Sequence, residues 1–150
     1  MSKPVFNVRV YGILMNNNNE VLISDEQEYG MRFSKFPGGG LEYGEGLTDG
    51  LKREFMEECN TEVEILSHYY TTDFFVKSIF SESQIISVYY KVKAVGGLNF
   101  TCKTKVFDFD SDDKDAVLQS FRWVNIKDLT PGDLTFPIDQ YVAELLIAKA

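Results

Sequence analysis

The sequence predicts an α+β fold in which helices cover opposite faces of a central mixed sheet. Two patterns carry that expectation: apolar runs occur in the order strands, helix, strands, helix, and the helical segments repeat their apolar residues at helical spacing. With 150 residues and 44% hydrophobic composition, the chain can bury one such core but has no room for a second catalytic domain. No internal repeat, low-complexity stretch or linker interrupts it, so residues 1–150 are expected to form a single domain.

Residues 6–15 alternate apolar and polar positions before becoming continuously apolar, which predicts the first strand. The asparagines at 16–19 form a polar turn, and residues 20–25 predict a second strand paired with the first as a hairpin. Residues 27–34 carry no regular pattern. Pro37 constrains the approach to the glycines between 38 and 46, which demand a bent backbone. Residues 47–59 predict a helix, and residues 62–77 predict one long strand or two divided near Thr71 and Thr72. Another strand is expected at 84–95, ended by Gly96 and Gly97, and residues 101–109 are a candidate for a returning strand. Residues 110–115 read as an exposed acidic loop, and 121–126 as a short strand containing Trp123. Residues 138–149 read as an amphipathic helix, with Pro137 suited to its first turn.

The chain has 23 Asp+Glu against 15 Lys+Arg, a formal net charge of -8, so its overall field repels polyanions. Nucleic acid is therefore a disfavoured partner, whereas a small phosphorylated molecule can bind through metal ions and local basic groups. The first residues lack the apolar run of a secretory signal, and no run approaches membrane-spanning length. A cytoplasmic protein with no membrane partner is the expectation. Cys59 and Cys102 have no CxxC spacing and are read as reduced and structural; His68 alone leaves little scope for a histidine-based site.

The most informative segment is 38–61. At about 100° per residue, Glu54, Glu57 and Glu58 fall within roughly a 100° arc of the helix, while Leu51, Phe55, Met56 and Cys59 lie mainly on another side. Like charges at i,i+4, here Glu54 and Glu58, repel by a few tenths of a kcal/mol, and a divalent cation would offset that repulsion because carboxylate oxygen suits Mg²⁺ or Mn²⁺. Three helical glutamates alone usually form a solvated face. The glycine-rich bend just before them, and Gly50, which projects no side chain on the same side, leave space for a loop or a phosphate to approach.

Gly39, Glu45, Arg53, Glu54, Phe55, Glu57 and Glu58 match in register the pattern of the Nudix box, and the chain resembles the Nudix hydrolase (MutT-like) family. Two positions depart: Asn60 stands where the box has glycine, and Thr61 where it has an apolar residue. Asn tolerates the left-handed conformation of a helix terminus, so the first change is mild.

The resemblance implies an α/β/α sandwich and metal-dependent hydrolysis of a nucleoside diphosphate linked to another moiety: a nucleotide sugar, an ADP-ribose-like compound or a nucleoside triphosphate. It implies that Mg²⁺ or Mn²⁺ is held by Glu54, Glu57 and Glu58, with the Gly38 carbonyl as a further ligand. Arg53 and Glu45 would brace the loop against the helix. The base that takes the water proton would be Glu54 or an acid of the later loop, Asp113 or Asp115, with Asp108, Asp110 and Asp112 also in range of the choice. Arg9, Arg32 and Lys35 are candidates for phosphate neutralisation, Phe36, Gly39 and Gly40 for further substrate contact, and Phe36, Phe80, Tyr89 and Trp123 for an apolar or stacking wall. Relatives commonly form homodimers, though no strand here is marked by its sequence as an exposed edge. The alternative function is a catalytically weak nucleotide-binding sensor or interaction domain.

Overall fold

The computed structural model describes residues 5–150. In chain order the elements are β1 (Phe6–Leu14), β2 (Glu20–Glu28), β3 (Met31–Lys35), β4 (Gly38–Gly40), α1 (Leu47–Cys59), β5 (Val63–Thr71), β6 (Gln84–Ala94), β7 (Cys102–Lys103), β8 (Leu118–Asn125) and α2 (Pro137–Ala148), with a 3-10 turn at Pro131–Asp133. The expected α+β class holds. The strands form two four-stranded sheets, and the chain divides into two compact units, each with one sheet and one helix.

The first unit comprises residues 5–13 and 38–99, with strand order β4-β1-β6-β5. Its helix α1 buries Leu51, Phe55 and Cys59 on one face, and Leu51 and Phe55 each contribute about 1.5–3 kcal/mol on leaving water. The helix stops at Asn60, which adopts the left-handed conformation (φ 47) while its N–H donates to the Met56 carbonyl. Next, Thr61 is fully buried and its hydroxyl donates to the Cys59 carbonyl at 2.8 Å. Both departures from the box are thus accommodated locally: one residue supplies the αL cap, and the other fills an apolar position with its hydroxyl satisfied.

The second unit comprises residues 14–37 and 100–150, with strand order β3-β2-β8-β7. Its sheet is mixed, because β2 pairs antiparallel with β3 and β8 whereas β7 runs parallel to β8. Helix α2 starts with Pro137 in its first turn and buries Ile138, Val142, Ala143 and Leu146.

Several sequence expectations change. The hairpin expected of the first two strands does not form: β1 pairs with β4 and neighbours β6, while β2 pairs with β3 and β8. The asparagine turn is closed by an isolated bridge, Met15 to Val21, by the Asn16 N–H donating to the Glu20 carbonyl at 3.0 Å and by the Glu20 N–H donating to Asn16 Oδ1 at 3.1 Å. Strand β2 continues to Glu28, and β3 arises where the sequence showed no pattern. Their polar residues are buried with partners: Lys35 pairs with Glu26 on the adjacent strand at 2.9 Å, and Gln27 donates to the distant Asp113 carbonyl at 2.8 Å. The glycines at 38–40 form a short strand rather than only a bend, pairing with Tyr11, Val10 and Arg9. The long strand considered for 62–77 ends at Thr71, near the expected division, and the strand considered for 101–109 shrinks to two residues, Cys102–Lys103.

Candidate active site on the glutamate helix

Arg53 organises the site. Its Nη2 donates to Glu45 Oε1 at 2.6 Å and to the Gly40 carbonyl at 3.0 Å, and its Nε donates to Glu45 Oε2 at 3.0 Å. On the other side, Nη1 donates to Glu54 Oε1 and to Glu57 Oε2, each at 3.1 Å. Glu45 Oε1 also accepts the Glu42 N–H at 2.8 Å, which closes the loop on itself three residues before the carboxylate. One guanidinium thus ties the end of β4, the loop and the acidic face of α1 together, using the planar fork that lysine lacks.

Hydrogen bonding from Arg53, followed by that from the Glu42 N–H, holds the Glu45 carboxyl down at about 2. Arg53 is correspondingly raised, first by its bonds to Glu45. Because the folded value for Glu45 lies below its ordinary value of 4.5, its contribution to stability is full above that value and is lost as pH falls toward about 2. Glu45→Gln is expected to leave the fold intact, since the residue is partly exposed, and to lower turnover by about 10–100-fold, the usual scale for a residue that orients a metal-site ligand. Its acid-unfolding profile should also lose the component in that window. Full turnover together with an unchanged acid profile would remove Glu45 from the site.

Two glycines make the arrangement possible. A Cβ on Gly39 would lie 2.7–2.8 Å from the carboxylate atoms of Glu54, so only glycine lets that carboxylate rest against β4. A Cβ on Gly50 would lie 2.8 Å from both Glu45 Oε1 and Leu41 Cδ1. The space that the sequence suggested for a loop or a phosphate at Gly50 is taken by the loop.

The carboxylates themselves differ in setting. Glu54 is buried and Glu57 is exposed, while Glu58 Oε2 is shielded from solvent. Among the described residues, no group of three or more His, Cys, Asp or Glu side chains is gathered as a ready metal cluster. Glu54 and Glu57 both face the Arg53 cation, which supplies the positive charge between them. The donor set is nevertheless all oxygen, which fits a hard divalent ion, and Gly39 leaves the Glu54 carboxylate uncrowded on its strand side.

The other sequence candidates are spread more widely. Gly38, at φ +147, is opposite Tyr11, and Gly40 is opposite Arg9. Arg9 donates from Nε to the Tyr11 hydroxyl at 2.5 Å. Tyr89 is buried and stacked on Tyr11 with centroids 5.2 Å apart, so it is a core residue of the first unit, and Phe80 is exposed. Arg32, Lys35 and Phe36 belong to the second unit. Phe36 is fully buried, Lys35 is paired with Glu26, and Arg32 donates from Nε to Gln27 Oε1 at 3.1 Å. The loop acids Asp108, Asp110, Asp112, Asp113 and Asp115 are all exposed, and Asp110 pairs with Lys103 at 2.8 Å.

Sequence reasoning passed over Asp25. It is fully buried and accepts from Arg122 Nε at 2.7 Å, Ser34 Oγ at 2.6 Å and the Phe107 N–H at 3.3 Å. The signal was present as an acid, Asp25, directly after the apolar run 21–23 and Ser24, and an arginine, Arg122, between Phe121 and Trp123.

The NUDIX domain, as a family pattern, matches residues 5–145. The chain belongs to the NUDIX domain family. An RNA pyrophosphohydrolase of Campylobacter jejuni is 34% identical over 98 residues, covering 61% of this chain. The matched stretch spans 63% of that relative, less than two thirds of its length. In fold, the chain resembles a NUDIX hydrolase from Nitrosomonas europaea (TM-score 0.70, 18% identity, 98% of this chain and 90% of the other). It also resembles the MutT protein from Methanosarcina mazei Go1 (TM-score 0.70, 16% identity, 99% and 98%). These two likenesses establish the Nudix fold. Membership of the family supports a pyrophosphohydrolase activity, and Nudix proteins typically use a divalent metal. Among the described residues, no helix is long and apolar enough to cross a membrane.

Proposed function

We propose that this chain is a Nudix-type pyrophosphohydrolase that uses Mg²⁺ or Mn²⁺ to hydrolyse the phosphoanhydride of a nucleoside diphosphate joined to a second group, with residues 1–150 acting as one catalytic domain. The observation that carries this reading is the Arg53 hub, which fastens Glu45 and Gly40 on one side and orients Glu54 and Glu57 on the other.

Glu54, Glu57 and Glu58 would hold the ion, with the Gly38 carbonyl as a candidate fourth donor. A divalent ion bound there supplies a lowered pKa for the attacking water and charge compensation for the phosphates. Arg53 keeps α1 and the loop in fixed relation, and Glu54 and Glu57, which accept from its Nη1, are the carboxylates that would turn to an ion bound there. Glu45 stays ionised through the physiological range and so keeps Arg53 in place throughout. Glu54, buried beside Gly39, is the first candidate for the water proton, because it is the least solvated carboxylate of the set. Gly39 and Gly40 leave the strand bare of side chains next to these groups.

The test is a metal-dependent screen of nucleotide sugars, ADP-ribose, nucleoside triphosphates and 5′-triphosphorylated RNA, with product masses measured. RNA enters because the curated relatives are named for it, although a net charge of -8 opposes a long polyanion. Turnover of a small nucleotide that stops on chelation is the expected result. Metal-independent turnover, or none across the whole panel with Mg²⁺ and Mn²⁺, would defeat the reading.

A further inference from the structure

Between β5 and β6 the first unit raises a hairpin that leaves its largest side chains in water. Pairing resumes beyond Thr71: the Ile85 N–H donates to the Val76 carbonyl at 2.8 Å and the Ser78 N–H to the Ser83 carbonyl at 2.9 Å. Thr71 lies opposite Val88 and Lys77 opposite Gln84, so six steps along one strand answer to four along the other and two residues are squeezed out of the ladder. The surplus falls around Asp73, Phe74 and Phe75; Asp73 Oδ1 accepts the Tyr70 hydroxyl at 2.6 Å, and Phe75 is left 70% exposed. At the tip, the Phe80 N–H donates to Ser78 Oγ at 3.0 Å and the Ser81 and Ser83 hydroxyls lie 2.7 Å apart, while Ile79 is 59% exposed. These polar groups are bonded within the hairpin, so covering the tip with apolar surface strands none of them.

The Gln84 N–H also donates to the Val5 carbonyl at 2.9 Å, which brings the exposed Val5 and Phe6 beside the hairpin. Val5, Phe6, Phe74, Phe75, Ile79 and Phe80 are all exposed, and at about 200 Å² for a whole aromatic side chain they leave on the order of 600 Å² of largely apolar surface in water. That is the upper end of what a monomer carries. Each partner of a standard interface buries about 800 Å², which this patch and a polar rim would reach. The one cation of the hairpin, Lys77, pairs with Glu82 at 3.1 Å. No basic cluster is left to seek anionic lipid, and the net charge of -8 repels such a surface. Two copies of so acidic a chain also repel each other, and a contact made by uncharged side chains opposes that repulsion with the least added charge.

We infer that this hairpin docks a second copy of the chain, the two aromatic patches facing each other across a two-fold axis. Such a contact is self-complementary, since the same apolar side chains supply both of its sides. The inference concerns the first unit alone and does not depend on the hydrolase reading.

Sedimentation equilibrium of the full chain tests it without any reaction. The expected result is a monomer–dimer equilibrium with Kd of about 1–100 µM, the weak end for a patch of this size. The dimer should tighten as sodium chloride is raised, because screening weakens the repulsion between two net charges of -8 while the apolar contact persists. Phe75→Glu and Ile79→Glu, both at exposed positions, should keep the parental circular dichroism and each raise Kd by at least about a hundredfold, since a two-fold contact loses the side chain twice. Val117→Glu adds the same charge at an exposed residue of the second unit and should leave Kd unchanged. The inference is overturned by a parent that stays monomeric at about 100 µM, by a dimer that both hairpin variants retain, by one that Val117→Glu weakens equally, or by one that loosens with salt. A monomeric parent that co-sediments with phosphatidylcholine vesicles would overturn it in favour of a lipid contact.

Discussion

Glu57→Gln and Glu58→Gln should each lower metal-dependent turnover by at least about a hundredfold, because each removes a full negative charge from a site whose ion contributes several kcal/mol of charge stabilisation. The change is nearly isosteric. Glu57 is exposed and touches Arg53 through one oxygen, which the glutamine amide can replace, so the thermal midpoint should move little. Steady-state rates across a metal titration check this, with circular dichroism to show that the fold is retained. A weakened ligand set should also shift the metal concentration at half-maximal rate upward. Parental rates in both variants, at every metal concentration, would mean that the ion is held elsewhere.

Asp25→Ala should be the most destabilising single truncation in the second unit, costing about 3–5 kcal/mol, because it leaves Arg122 buried without its counter-charge. Asp25 is 0% and Arg122 9% exposed. The loss should appear as a lower denaturant midpoint. Removing the second charge as well, in Asp25→Ala with Arg122→Met, should recover part of the loss, since two apolar side chains no longer strand a cation. Should Asp25→Ala unfold within about 1 kcal/mol of the parent, the carboxylate would not be what holds Ser34, Phe107 and Arg122 in place.

The legible parts of this fold were those whose information is local. Helix α1 was readable to its ends because Leu51, Phe55 and Cys59 repeat at helical spacing and Asn60 can cap. The link from Glu45 to Arg53 came only through the family pattern, since the two residues lie eight positions apart on different elements. What escaped was non-local. The far half of β2 looks polar until Asp25 meets Arg122, 97 residues away, and Gln27 meets the Asp113 carbonyl, 86 residues away. Strand β4 consists of three glycines, which carry no side-chain alternation, and its pairing depends on β1. The misplaced hairpin is a different case: β2 does form a hairpin, but with β3 through the two-residue turn Tyr29–Gly30, both at positive φ, while β1 pairs with β4. At the site, the sequence grouped Glu54, Glu57 and Glu58 by angle alone, whereas in the folded chain Arg53 stands between the first two.

Gly50 carries a consequence for engineering this protein against heat. An interior helical glycine is an obvious target for replacement by alanine, which ordinarily stabilises a helix by about 1 kcal/mol. Here the added methyl would press on Leu41, whose tip can move, and on the Glu45 carboxylate, which Arg53 pins. The propensity gain and the loop's seating therefore oppose one another at one atom. A thermostabilisation scheme ranking substitutions by helix propensity would choose Gly50 early and release the very loop on which the glutamate helix is oriented.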